Sequence, residues 1–187
     1  MSFFKQKMPL DDFLREVLRR AVTHRHDLSH LTDDERYGMS DDELRRLTSA
    51  ARALHVAALC SLLMTRFARG KTTLAEEFGN RFGMALVFAY HDSGLDADSA
   101  EAQAEVAMKL YAEAASTATG RVSQEDFGKA LCDTFTKMVL ADLVVKDRLS
   151  AYRHGLVFSY GVAVYRTSEQ ALRAVLKNVK VIGPLGT

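Results

Sequence analysis

The sequence predicts an all-α fold, a bundle of six or seven helices around a buried central helix at about residues 41–69. Only two prolines interrupt the 187 residues, and strong helix formers such as Ala, Leu, Arg and Glu abound. Apolar residues recur at helical spacing, and no stretch alternates as a strand does. The length fits one domain, with a helical core over 8–178 and a β-like arm at 179–187.

The first helix is predicted to begin at Pro9, just before two acidic residues. Asp11 and Asp12 fall in its first turn, where negative charge interacts favourably with the helix dipole. Apolar side chains then recur along one face, which predicts that this face packs on the core. That face consists of Phe13, Leu14, Val17, Leu18, Ala21 and Val22.

The second helix is predicted from a capping box formed by Ser40 and Glu43. It is expected to end before Gly70, a residue typical of the position after a helix C-terminus. Beyond Ala53 the helix is apolar on nearly every side. This pattern indicates the buried centre of a bundle.

The remaining helices are predicted from capping boxes that begin at Thr73, Ser123 and Thr167 and from the Ala-rich acidic segment 99–116. Some forty residues without proline follow Ser123, which exceeds the usual length of one helix. We therefore expect a break near 146–150 and a short last helix after Thr167.

Cys60 and Cys132 lie far apart within apolar helical stretches, so they are predicted to be buried free thiols in a reducing compartment. The segment MSFFKQKMPLDDFL has no apolar core of a signal peptide. The longest uncharged apolar runs span about a dozen residues, whereas a membrane span needs ~20. The expectation is a cytoplasmic protein with no membrane partner.

Gly70, Lys71 and Thr72 match the end of a phosphate-binding loop within RFARGKTTLAEEFG. That loop also needs a glycine five residues before Gly70, where this chain has Thr65, and a buried strand upstream. The upstream segment SAARALHVAALCSLLMTRF is instead predicted to be helical. The motif therefore indicates a joint between two helices, and no nucleotide is expected to bind there.

Histidines crowd the segment HRHDLSH at the predicted end of the first helix. His26 and His30 are four residues apart, and with Asp27 they form H-D-x-x-H, similar to the H-E-x-x-H motif that holds zinc. The alternative is a surface cluster whose imidazoles interact with the helix C-terminus and with the acidic residues that follow. The sequence leaves both interpretations open.

A second set of candidate ligands is dispersed along the chain. His55 lies in the second helix, His91 and Asp92 end the third, and Asp142 follows in VLADLVVKD. This order resembles the HD-domain phosphohydrolases, which are all-helical. The resemblance implies that the four side chains hold a divalent metal that activates water against a phosphate ester.

The leading prediction is nevertheless a non-catalytic helical module that binds another protein or a second copy of itself, without a cofactor. Small residues recur every four positions at Ala151, Gly155, Ser159 and Ala163, a pattern that favours close helix packing within the chain or in a dimer. The Arg-rich first two helices are amphipathic and do not read as a recognition helix, so nucleic acid is not the expected partner. The metal-dependent hydrolase is the alternative.

Overall fold

The computed structural model describes residues 5–24, 26, 28, 36, 38–68, 72–118, 123–140 and 148–183. Within these residues the chain forms six α-helices and one two-stranded sheet, which confirms the predicted all-α bundle. The helices are α1 (Leu10–Thr23), α2 (Asp41–Phe67), α3 (Thr72–Asp92), α4 (Ala97–Thr117), α5 (Gln124–Val139) and α6 (Arg148–Asn178). The strands are β1 (Gln6–Pro9) and β2 (Val179–Ile182).

Helix α2 is the centre of the bundle, as the sequence predicted. It packs against each of the other five helices, and its second half is buried on almost every side. By length and composition it is also apolar enough to cross a membrane, but 72% of that apolar stretch is buried inside the protein. Its composition is therefore accounted for by contacts with the surrounding helices.

Two of the predicted helix starts have the expected capping geometry. The Ser40 hydroxyl accepts a hydrogen bond from the Glu43 N–H at 3.2 Å, and the Glu43 carboxylate accepts one from the Ser40 N–H at 2.7 Å. Ser123 and Asp126 form the same reciprocal pair. The third prediction is wrong, because α3 begins at Thr72 and Thr73 lies inside it.

The predicted helix start at Thr167 is also wrong, because α6 runs without interruption through this residue. Val164, Ser168 and Leu172 are all buried at helical spacing, so one continuous face packs on the core across the predicted boundary. The Ser168 hydroxyl donates to the Val164 carbonyl at 2.7 Å within that helix. Packing of this face outweighs the local capping signal. The expected break agrees with a start of α6 at Arg148.

The sheet was not predicted. Strand β1 pairs in parallel with β2, with Gln6 opposite Val179 and Pro9 opposite Ile182. Part of the expected arm is thus a strand, which ties the start of α1 to the end of α6. Each strand has four residues, too few for alternation to be recognised in the sequence.

Candidate functional site

Among the described members of the HD-like set, His55 alone lies in the interior. It sits in the middle of α2 with 7% of its surface exposed. Its imidazole packs against those of His24 and His26, with ring centroids 5.5 and 5.8 Å away. In the sequence these histidines belong to two separate candidate sets, and the fold brings them together.

The other residues of the HD-like set lie elsewhere or outside the described residues. His91 and Asp92 are exposed in the last turn of α3, and Asp142 is outside the described segments. Among the described side chains, no three or more of His, Cys, Asp and Glu are positioned to hold a metal ion, so His55 does not form such a group with His91 and Asp92. The complete four-residue site stays a hypothesis.

The H-D-x-x-H interpretation requires His26 to lie on a helix, and it does not. Helix α1 ends at Thr23, so His26 lies beyond it and not on a helical face. The His26 ring packs instead against His24, with a centroid separation of 4.8 Å. Asp27 and His30 lie outside the described residues.

Four buried polar atoms in this region have no hydrogen-bond partner in the described structure. They belong to His26 (Nε2), Arg52 (Nε), His55 (Nδ1) and Tyr90 (Oη), which we call the unsatisfied cluster. His26 contacts His55 and lines the same cavity as Arg52, and Tyr90 lies within the electrostatic influence of the Arg52 charge. Leaving a buried polar group unpaired costs roughly 1–3 kcal/mol, so four of them in one place call for an explanation.

Burial lowers the pKa of both histidines of this cluster. It lowers the pKa of His55 to about 4, with smaller contributions from His26 and His24. It lowers the pKa of His26 to about 4 as well, assisted by the positive charges of His24 and Arg52. Both imidazoles are therefore neutral at pH 7, and each offers one N–H donor and one acceptor.

His26 lines two cavities. The smaller, of about 200 Å³, is lined by His24, His26, His55, Tyr160, Ala163, Val164 and Thr167. The larger, of about 610 Å³, is lined by His26, Leu28, Arg36, Asp41, Leu44, Arg45, Thr48, Ser49 and Arg52. Neither Arg52 nor Tyr90 was singled out from the sequence, because only the tertiary fold shows that their polar atoms are buried without partners.

A second polar cluster, formed by Ser61, Thr65, Gln124 and Tyr165, lies between α2, α5 and α6. The Gln124 amide donates to the Tyr165 hydroxyl at 2.7 Å and to the Ser61 hydroxyl at 3.1 Å. Its carbonyl oxygen accepts from the Thr65 hydroxyl at 3.0 Å. We call this group the satisfied cluster.

The cavity beside the satisfied cluster, of about 480 Å³, includes Cys132 in its lining. Cys60 and Cys132 are both free and buried, which confirms that part of the prediction. Burial raises the pKa of each thiol to about 12. Neither sulfur is thus a thiolate at neutral pH, and nucleophilic chemistry has no support here.

The motif that resembles a phosphate-binding loop lies where α2 is followed by α3. Helix α2 continues to Phe67 and α3 begins at Thr72, so the motif lies between two helices and not after a strand. Gly70 and Lys71 are outside the described residues. The absence of nucleotide binding remains a prediction.

The predicted ladder of small residues lies on the outer side of α6. Ala151, Gly155, Ser159 and Ala163 are all exposed, so the expectation that they pack within the chain is wrong. Gly161 makes the close approach instead, since a Cβ there would lie 2.9 Å from the Phe135 ring. The small residues thus recur along an exposed side of α6, whereas its buried face carries Val157, Gly161, Val164 and Ser168.

Comparison with protein-family models, with curated proteins and with solved structures finds no match to this chain. The HD-like interpretation therefore rests on residue order alone.

Proposed function

We propose that this protein is a non-catalytic helical module that associates with a second copy of itself through the outer face of α3. The observation that carries the proposal is a pair of apolar side chains one helical turn apart. Met84 is 63% exposed and Phe88 is 51% exposed, more than any other large hydrophobic side chain among the described residues. Adjacent exposed apolar groups of this size are typical of interaction surfaces.

The charges beside Met84 and Phe88 favour a second copy as the partner. The Arg15 guanidinium lies 5.5 Å from the centre of the Phe88 ring, and Arg81 forms an ion pair of 3.5 Å with Asp11. Acidic and basic groups therefore border the same apolar patch. A patch bordered by both signs of charge can pair with a second copy of itself about a twofold axis, acidic group to basic group, which is the self-complementarity a symmetric dimer needs.

The experiment is a measurement of molar mass by analytical ultracentrifugation over a wide concentration range. Wild-type protein is expected to dimerise, and Phe88→Glu is expected to raise the dimer dissociation constant at least tenfold, because it places a charge at the centre of an apolar contact. Tyr152→Glu on α6 is the matched control, since Tyr152 is also an exposed aromatic residue, at 46%. Circular dichroism would establish that both variants are folded.

Two results would contradict the proposal. A wild-type protein that stays monomeric at high micromolar concentration would exclude a functional dimer of this kind. A dimer weakened by Tyr152→Glu but not by Phe88→Glu would assign the contact to α6 and its exposed small residues.

A further inference from the structure

We propose that the larger cavity beside the unsatisfied cluster binds a small molecule through an oxyanion group of the phosphate class, which Arg52 and His26 recognise. This inference is independent of self-association, because it concerns α2 and the segment after α1 and not the outer face of α3.

Arg52 is the strongest indication of a missing anion. Its Nε atom is buried, and its side chain forms no ion pair or hydrogen bond with any residue that the structure describes. The neighbouring arginines of the cavity differ, because Arg36 pairs with Asp41 at 3.1 Å and Arg45 with Asp42 at 2.7 Å. A partly buried guanidinium without a counter-charge is costly, and a bound anion would remove that cost.

The two buried histidines supply further unused hydrogen-bonding atoms. His26 is 9% exposed and His55 is 7% exposed, and each has a buried ring nitrogen without a partner in the described structure. His26 lines the same cavity as Arg52, and the His55 ring lies next to His26. A neutral imidazole can present an N–H to an oxyanion, as the Arg52 guanidinium does.

The chemistry of these groups selects an anion over a metal ion. A guanidinium can only donate hydrogen bonds, so a ligand that satisfies Arg52 must present acceptor atoms. Its positive charge, which acts on His26, would also repel a cation at that imidazole. The described side chains in addition provide no group of three or more metal ligands.

The size of the cavity indicates more than a free phosphate ion. Its volume of about 610 Å³ lies in the range of pockets that hold small organic molecules. Leu28 and Leu44 provide apolar wall, while Thr48 and Ser49 provide hydroxyl groups. This lining fits a phosphorylated small molecule whose phosphate lies at Arg52 and whose remaining part occupies the more open side.

Inorganic phosphate is the probe. We expect it to raise the unfolding temperature of the wild-type protein in a saturable manner, relative to chloride at equal ionic strength, because a ligand that binds the folded state stabilises it. Arg52→Gln is expected to raise the phosphate dissociation constant at least tenfold. Arg46→Gln is the matched control, since it removes the same charge from an exposed position on the same helix and should leave phosphate binding unchanged.

A spectroscopic measurement keeps the proposal testable if Arg52→Gln fails to fold. Phosphate is expected to shift the His26 Nε2 resonance of the ¹⁵N-labelled wild-type protein more than that of His91, which is exposed in α3. Equal binding by wild type and Arg52→Gln, or unmoved His26 resonances up to millimolar phosphate, would overturn the inference. So would saturable stabilisation by Zn²⁺ in the absence of any phosphate effect.

Discussion

Two regions of α2 differ in whether their buried polar side chains have hydrogen-bond partners. Near its C-terminus, the satisfied cluster directs every polar group of Gln124 to a partner from α2 or α6. Near its middle, the unsatisfied cluster leaves polar atoms of Arg52 and His55 buried without partners in the described structure.

This difference distinguishes polar side chains that stabilise the fold from polar side chains that are available to a ligand. A hydrogen-bonded group such as Gln124 with Tyr165 offsets its own desolvation and fixes how α5 meets α6. A buried polar group without a partner lowers the stability of the folded protein. Such unfavourable arrangements are found most often at functional sites, where a ligand supplies the missing partner. The satisfied cluster therefore needs nothing more, whereas the unsatisfied cluster is completed by a ligand.

The largest expected effect is a loss of stability in mild acid, and it tests the unsatisfied cluster. The pKa of His26 and that of His55 fall from an ordinary 6.5 to about 4 on folding, so the unfolded chain binds more protons between these values. The free energy of unfolding must then decrease as pH falls from 6.5 to about 4, by roughly 2–3 kcal/mol for each histidine. Urea denaturation at several pH values, in buffers without carboxylate or phosphate, measures it.

The groups around these rings define the control. His24 and Arg52 add positive charge, and the α6 residues that line the small cavity carry none. His55→Leu should roughly halve the dependence on pH in this range. A wild-type stability that stays constant from pH 6.5 to pH 4.5 would mean that the two imidazoles are not buried as described.

The next prediction compares the two clusters by the same kind of substitution. Gln124→Leu should destabilise the protein by about 2 kcal/mol, because it leaves the Ser61 and Tyr165 hydroxyls without their amide partner. His55→Leu removes an atom that already lacks a partner, so without ligand it should change stability by less than about 1 kcal/mol at pH 7. Equal losses in urea denaturation would remove the distinction between the clusters.

The sequence predicted the parts of the fold that depend on local chemistry. Ser40 and Ser123 signal helix starts because a hydroxyl caps a first turn within three residues, and α2 reads as central because its apolar residues cover every side. The interruption expected at Thr167 failed because the same local signal was outweighed by burial of Val164 and Leu172. Local signals therefore need support from the packing that surrounds them.

The candidate site depends on contacts that no local pattern records. His55 was recognised as buried, but its actual neighbours come from beyond the end of α1 and lie some thirty positions earlier in the sequence. In the sequence, Arg52 cannot be distinguished from the exposed arginines of the same helix, such as Arg45 and Arg46. Only the tertiary environment makes its missing partner visible.

The smallest expected effect concerns the helix caps and their coupling to the satisfied cluster. Ser123→Ala and Ser40→Ala should each cost about 1 kcal/mol, because each leaves a first-turn N–H without its acceptor. Ser123 directly precedes Gln124, so its cap also holds the backbone that aims the Gln124 amide at Tyr165. The double variant Ser123→Ala with Gln124→Leu should therefore deviate from additivity by at least ~0.5 kcal/mol, whereas Ser40→Ala with Gln124→Leu should be additive. Additivity in both pairs would show that the cap and the satisfied cluster act separately.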